Sequence, residues 1–454
     1  MSESIQLPER LGLRERLVIL KSRNFLLLWA GSLISMVGDA FSMIALPWLV
    51  IQLTDNAFTL GTVMATAAIP RALFILVGGA LADRFSPRRV IMDTKILYLV
   101  LVTMLSALVI SESIEMWMVY VFALLIGAVG AFAFPAQSAI LPQLVDKDEL
   151  QVANSVMGGT AQICFLVGPA LAGGLIVILS GGDLTNLSAD SPPDDLRAIG
   201  TVFAIDAITF MVSWLLLLGV RVPADRDVRS DDEESVIASI KGGFNYLTTD
   251  RSLFILMFYI AAVGFLAQGP ISIGIPLLAS ERYVEGAAAY GLLMSSHSGG
   301  ALLGVVLAGW LPLPKPRNLG IMVLILDATE GSIMVLLGFS SETIYGMIIL
   351  FNMGIIGGFL QIFFMTWIQK RIQQEMLGRI MSVIIFANLG LAPISGALSG
   401  FIVESIGLTV LFVGSGGLFA TLALLSMFSR SIRAMGLPPE ALVSSAGEAD
   451  QGDI

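Results

Sequence analysis

Charge is scarce in this sequence. Of 454 residues only 13% are Asp, Glu, Lys or Arg, about half the roughly 25% of an ordinary soluble domain. With 56% hydrophobic residues and a mean hydropathy of +0.87, so long a chain cannot hide its apolar surface in one water-soluble core. Hydrocarbon is the solvent that fits it. Cys164 is the single cysteine and His297 the single histidine. The first excludes a disulfide framework, and together they leave no ligand set for zinc or haem. A GxxxxGK[ST] phosphate loop is missing, which argues against ATP-driven export by this chain alone. HExxH and GxSxG are missing too, so neither an enzyme nor a cofactor is expected. A net charge of −10 argues against a nucleic-acid partner, whose phosphates would repel it.

What the chain has in quantity is long apolar runs. At 1.5 Å per residue about 20 such residues cross the hydrocarbon. The runs predict twelve transmembrane helices at 24–52, 58–82, 90–110, 116–144, 151–180, 200–220, 253–279, 287–311, 319–340, 344–369, 377–403 and 408–429. The first is too long for the apolar core of a cleaved signal, so it is expected to stay as a span. Forty-six glycines suit helices that must approach closely without a hydrophobic effect to drive them.

The basic residues test the partition. With both termini on the inner side, Arg197 and Arg282 fall outside and Arg71 falls within span 2. Every other one of the 25 Lys and Arg residues falls on the inner side, Lys95 being counted with the flank of the loop between spans 2 and 3. That asymmetry is the positive-inside rule, and an error of one span would scramble it. The expected organisation is an N-terminal cytoplasmic segment (1–23), a six-helix half (24–220), a central cytoplasmic loop (221–252), a second six-helix half (253–430) and a disordered acidic tail (431–454). VIASIKGGFNYL in the central loop is expected to form an amphipathic helix, and residues 181–198 a polar outer loop.

The halves echo one another. GGALADRF begins at Gly78 and GVVLAGWL at Gly304, an offset of 226; Glu149 in DKDEL and Glu375 in QQEML are again 226 apart. Parallel halves with a site between them near the bilayer midplane are a common layout of secondary transporters.

Particular motifs carry a family resemblance over nearly the whole chain. They are NFLLLWAGSLISMVGDAFSMIALPWLV in span 1, GGALADRFSPRRV after span 2, FPAQSAILPQLVDKDELQVANSV at the span 4–5 junction and LGRIMSV opening span 11. The sequence resembles the major facilitator superfamily, within it the drug- and siderophore-exporting branch that includes macrolide-efflux-like permeases. The loop after span 2 is similar to the family's signature at Gly79, Leu81, Asp83, Arg84 and Arg88, and departs from it at Ser86 and Pro87. LVGPALAGGL in span 5 is similar to the Gly-Pro motif of antiporters, with one extra residue before the Gly pair. The resemblance implies a latch: Asp83, with Gly79, Arg84 and Arg88, set against the N-terminal turn of span 11 near Arg379, where a carboxylate meets free N–H groups. It also implies a cavity lined by spans 1, 4, 7 and 10. Candidate cavity residues are Ser35, Ser42, Gln137, Gln268, Asn352, Gln361, Phe132, Phe265 and Phe359.

Ionisable groups inside spans are costly and therefore functional candidates. Asp39 and Arg71 lie at similar depth in adjacent antiparallel spans, where they form either a structural pair or a protonatable switch. Asp206 reaches a similar depth in span 6. Asp327 and Glu330 are spaced i,i+3 and share one face of span 9; two carboxylates so close do not readily ionise together, which suits a proton site. Spans 6 and 9 are outer helices in the resembling fold, so a tertiary contact is the competing reading. Helix–helix hydrogen bonding is expected of His297 and plain packing of Cys164.

A mostly apolar pocket with few polar groups suits a lipophilic or amphipathic solute. The expected function is secondary active, proton-coupled efflux by alternating access, with the proton gradient in place of a cofactor. The expected partners are a small-molecule substrate and the lipid bilayer, the expected state a monomer, and the expected location a prokaryotic plasma (inner) membrane. The alternatives are an exporter or facilitator of one metabolite (siderophore, macrolide or lipid), and a transporter-like receptor or complex subunit.

Overall fold

Apolar runs that must satisfy every backbone N–H and C=O without water have helix as their solution. The computed structural model describes residues 22–182 except 55, 85 and 147, residues 196–221, and residues 251–433 except 312–317 and 373. Within that range the side chains of 75–84, 134, 251–252, 374–375, 377–379, 382, 385–386, 389 and 430–431 are also outside the description. The helices are α1 (Arg23–Leu53), α2 (Ala57–Arg84), α3 (Pro87–Ile110), α4 (Met116–Leu144), α5 (Leu150–Leu179), α6 (Leu196–Leu218) and α7 (Arg251–Gly269). A π turn (Pro270–Gly274) joins α7 to α8 (Ile275–Arg282), followed by α9 (Ala287–Trp310), α10 (Leu319–Leu337), α11 (Thr343–Arg371), α12 (Gln374–Ile406), α13 (Leu408–Ser426) and the short α14 (Arg430–Arg433).

Eleven segments among the described residues are long and apolar enough to cross a membrane, α7 to α8 forming one of them. α12 is a further long helix of 33 residues, with a shorter apolar stretch described at Gly390–Ile406. The protein is an all-helical integral membrane protein. Large apolar side chains such as Trp310, Phe428 and Phe258 point outward, as a lipid-facing surface requires. Proline is tolerated inside α1, α2, α4, α5 and α12, because neighbouring helices re-satisfy the freed backbone groups. The expected amphipathic helix of the central loop and the acidic tail lie outside the described residues.

Helices α1–α6 pack on one another, notably α1 and α3 on α6 and α2 on α4; α9 packs on α11 and α10 on α13. The two sets meet along two seams, α2 against α12 and α5 against α9. The end of the bundle where α1 begins is called proximal here, the other distal. Both seams are tight distally. Ala57 N–H donates to Glu404 Oε2 at 3.0 Å, Ala170 N–H donates to Ser295 Oγ at 3.0 Å, and Trp48 stacks on Tyr290 at 6.4 Å. A Cβ on Gly173 or Gly291 would run into the backbone carbonyl of Ala287 or Pro169, so these glycines let α5 and α9 touch backbone to backbone.

The proximal end differs. Distally one apolar core includes residues of both sets, among them Phe41, Leu60, Tyr290 and Phe412. Proximally each set has its own core: Phe25, Ile91, Ile140 and Leu217 in the first, Leu256, Leu324, Trp367 and Ile380 in the second. Among the described residues, then, the two sets share a core distally and hold separate cores proximally.

Candidate functional site

Helix α1 presents Ser35, Asp39 and Ser42 at i, i+4 and i+7, one face of a 3.6-residue helix. Asp39 is exposed, although charged groups from three other helices act on it or share its field: Arg71 of α2, Lys95 of α3 and Asp206 of α6. Among the described residues no cation lies within 4 Å of Asp39. Asp39 and Arg71 thus make no ion pair among the described residues, although Lys95 and Arg71 both act on Asp39. Arg71 lies instead against Gly130 of α4, where a Cβ would come 3.3 Å from its Nη2.

Sequence position groups Lys95 with the loop flank, but the side chain is buried in α3. Its Nζ donates to Ser35 Oγ at 2.9 Å and stands 5.0 Å from the centre of the Phe210 ring. Asp206 is fully buried and accepts from Ser42 Oγ, from Tyr98 Oη at 3.3 Å and from Thr209 Oγ1 at 3.4 Å. Gly38 makes this possible: any Cβ there would collide with Asp206 and Thr209. A membrane-buried carboxylate needs such partners, because leaving it unsatisfied costs several kcal/mol.

The second set holds its own acids. Asp327 of α10 is 2% exposed and accepts from Tyr259 Oη of α7 at 2.6 Å. Glu330 is also buried, with its Oε1 3.9 Å from where a Cβ on Gly357 of α11 would stand. Removing the hydroxyl with Tyr259→Phe is expected to lower stability by about 1 kcal/mol, the scale of interhelical hydrogen bonds in membranes. A thermal melt in detergent checks this, and an unchanged midpoint would mean the bond contributes nothing.

Gln137, Gln268, Asn352 and Gln361 are exposed, while Phe265 and Phe359 are half-buried. Phe132 stacks on Phe74 at 5.9 Å and lines a lateral groove of about 570 Å³ between α3 and α4, with Leu97, Leu101 and Leu125. His297 Nδ1 lies 3.4 Å from Leu350 O of α11, and Cys164 of α5 donates weakly to Leu33 O at 3.9 Å. Of the expected latch, the side chains of Gly79, Asp83, Arg84 and Arg379 lie outside the described residues. Arg88 donates to Leu217 O and Leu218 O at 3.2 Å each. That caps the C-terminal carbonyls of α6, a favourable place for a cation.

The sequence model of the Major Facilitator Superfamily matches residues 28–394. The chain belongs to the major facilitator superfamily. Macrolide efflux protein A of Streptococcus pyogenes is 22% identical over 91% of this chain and 98% of that protein. The multidrug efflux pump Tap of Mycobacterium tuberculosis is 23% identical over 92% and 96%. The staphyloferrin A transporter of Staphylococcus aureus is 22% identical over 85% and 90%. Among solved structures, the nucleoside transporter NupG superposes with a TM-score of 0.69 at 14% identity, covering 89% of this chain and 98% of that one. A bacterial homologue of the lysosomal transporter Spinster, solved inward-facing and unoccupied, superposes with a TM-score of 0.63 at 12% identity, covering 93% and 96%.

For a member of this superfamily, the residues that sequence reading missed are Lys95 and Tyr98. Their signal was present: Thr94, Lys95 and Tyr98 interrupt an apolar run two turns inside α3, with Lys95 and Tyr98 at i,i+3 on one face.

Proposed function

We propose that this transporter exports lipophilic or amphipathic small molecules in exchange for protons, and that Asp39 carries the proton. One observation supports the reading above the others: Asp39 is an exposed carboxylate within a membrane-spanning helix, with charged groups around it but no ion-pair partner among the described residues. Such a group can exchange a proton with water that reaches it. The names of macrolide efflux protein A and the multidrug efflux pump Tap among its relatives agree with export. The distribution of Lys and Arg supports two six-helix repeats with both termini in the cytoplasm. In that orientation the proximal end faces the cytoplasm, where an exporter loads, and the bacterial relatives support a prokaryotic plasma membrane.

The neutral groups at Gln137, Gln268, Asn352 and Gln361 would orient a solute in a mainly apolar pocket. The proton gradient supplies the energy, no cofactor takes part, and a monomer suffices.

Purified protein in liposomes with a trapped pH dye tests the reading. Adding ethidium or erythromycin under an imposed pH gradient is expected to accelerate its collapse. Binding of these compounds without proton flux would instead favour a receptor. A single metabolite as the only active compound would favour a dedicated transporter, as the name of the staphyloferrin A relative suggests.

A further inference from the structure

Lys95 is 6% exposed, and an ammonium inside a membrane helix is expensive to keep. Its environment does not match a static ion pair. Among the described residues no carboxylate lies within 4 Å of its nitrogen, although Asp39 and Asp206 both act on it electrostatically. The hydrogen bond the structure gives it goes to a neutral hydroxyl, Ser35 Oγ, which itself donates to Ser32 O. An ammonium has three donors.

The face of α1 forms three rungs. Ser35 holds Lys95, Ser42 holds Asp206, and Asp39 stands between them. On the opposite side, Asp206 and Phe210 are one turn apart on α6. The Phe210 ring lies under Lys95 at 5.0 Å and stacks on Tyr98 at 4.0 Å. A cation is attracted to such a ring face without being fixed to one atom. The ring therefore bridges the ammonium's present position and the Asp206 carboxylate, roughly one helical turn away.

We propose that Lys95 is a tethered counter-ion shared by Asp39 and Asp206. It serves Asp39 while that carboxylate is ionised, and it swings across Phe210 to Asp206 once Asp39 takes a proton from water. The proton forms one O–H bond on Asp39, and the positive charge it brings is passed behind α1 by movement of the ammonium. Lys95 is thus a positioning residue that couples protonation of Asp39 to the α1–α3–α6 contact. The charged groups that act on it are Asp39 on α1 and Asp206 on α6; around those two carboxylates lie Arg71 on α2, Tyr98 on α3 and Cys164 on α5. Helix α4 brings no Asp, Glu, Lys, Arg or His.

The inference rests on Asp39 as the proton carrier, and the test separates the two. Infrared spectra of the protein in lipid vesicles, taken from pH 5 to 9, follow the C=O stretch of protonated carboxyls. The component lost in Asp39→Asn reports Asp39. In Lys95→Met the pH of half-appearance is expected to rise by about one unit, a tenfold lower proton concentration, because a nearby cation favours the carboxylate. Asp206→Asn, which leaves Lys95 wholly to Asp39, is expected to move it the other way. Should Lys95→Met fold poorly, Lys95→Met/Asp206→Asn removes both buried charges together and is compared with Asp206→Asn for the same upward shift. A titrating Asp39 component that these substitutions do not move overturns the role of Lys95 and leaves the coupling reading standing. A wild-type protein with no Asp39 component in this range overturns both.

Discussion

Asp39→Asn is expected to abolish accumulation against a gradient while sparing exchange of solute for solute. Asparagine keeps the shape of the side chain and its place on the α1 face, so its surroundings are little changed. It cannot release or take up a proton, and it fixes the neutral form that a protonated Asp39 would have. One proton crossing 100 mV is worth about 2.3 kcal/mol, and at about 1.4 kcal/mol per tenfold that sustains roughly a fiftyfold concentration ratio. Wild-type protein in inverted vesicles should approach such a ratio for an accepted solute such as ethidium, and the mutant should stop at unity. Counterflow, which needs no proton, should continue. Accumulation by the mutant equal to that of the wild type would remove Asp39 from the mechanism.

Much of the architecture was legible because hydrocarbon imposes few solutions. The predicted spans coincide with helices to within a few residues, and 116–144 coincides with α4 at both ends. The seventh crossing differs. The apolar run predicts a single span at 253–279, whereas the helix converts to a π turn at Pro270–Gly274 and resumes to Arg282. Pro270, Gly274 and Pro276 marked the irregularity, but proline within a membrane helix need not break it.

The site was partly legible for a similar reason. Cost identifies Asp39, Asp206, Asp327 and Glu330 one at a time, but partners are a tertiary matter. Asp39 and Arg71 share a depth, yet Gly130 gives the guanidinium a place on α4, and Lys95 of α3 also acts on Asp39. Lys95 was hidden by its position two turns from a basic loop, where lysine normally marks topology. Only the packing of α3 on α6 shows that it turns inward.

The glycines at the α5–α9 seam provide the sharpest test of movement between the two helix sets. At the distal end Gly291 faces Pro169 O and lies with Ala170 Cα 3.2 Å from where its Cβ would be. Gly291→Leu therefore forces the backbones apart. Overpacking of this kind costs about 1–3 kcal/mol, which shifts a two-state equilibrium by about 5–150-fold. The distally closed state should be depleted and transport lost. Spin labels at Ser113 and Ser341, on exposed distal loops of opposite sets, should report a longer distance. Gly158 lies on the same helix as Pro169 at the proximal end, where a Cβ has nothing within 4 Å. Gly158→Leu should leave the melting temperature and the label distance unchanged, because the structure has room for it. If the proximal seam closes during each cycle, however, the leucine meets α9 at that moment, and turnover should fall although the resting state is untouched. A pathway with a permanently open proximal end would work normally with leucine at 158. Full transport by that variant would therefore sink alternating access here, and an unchanged distance in Gly291→Leu would show that the distal seam does not govern opening.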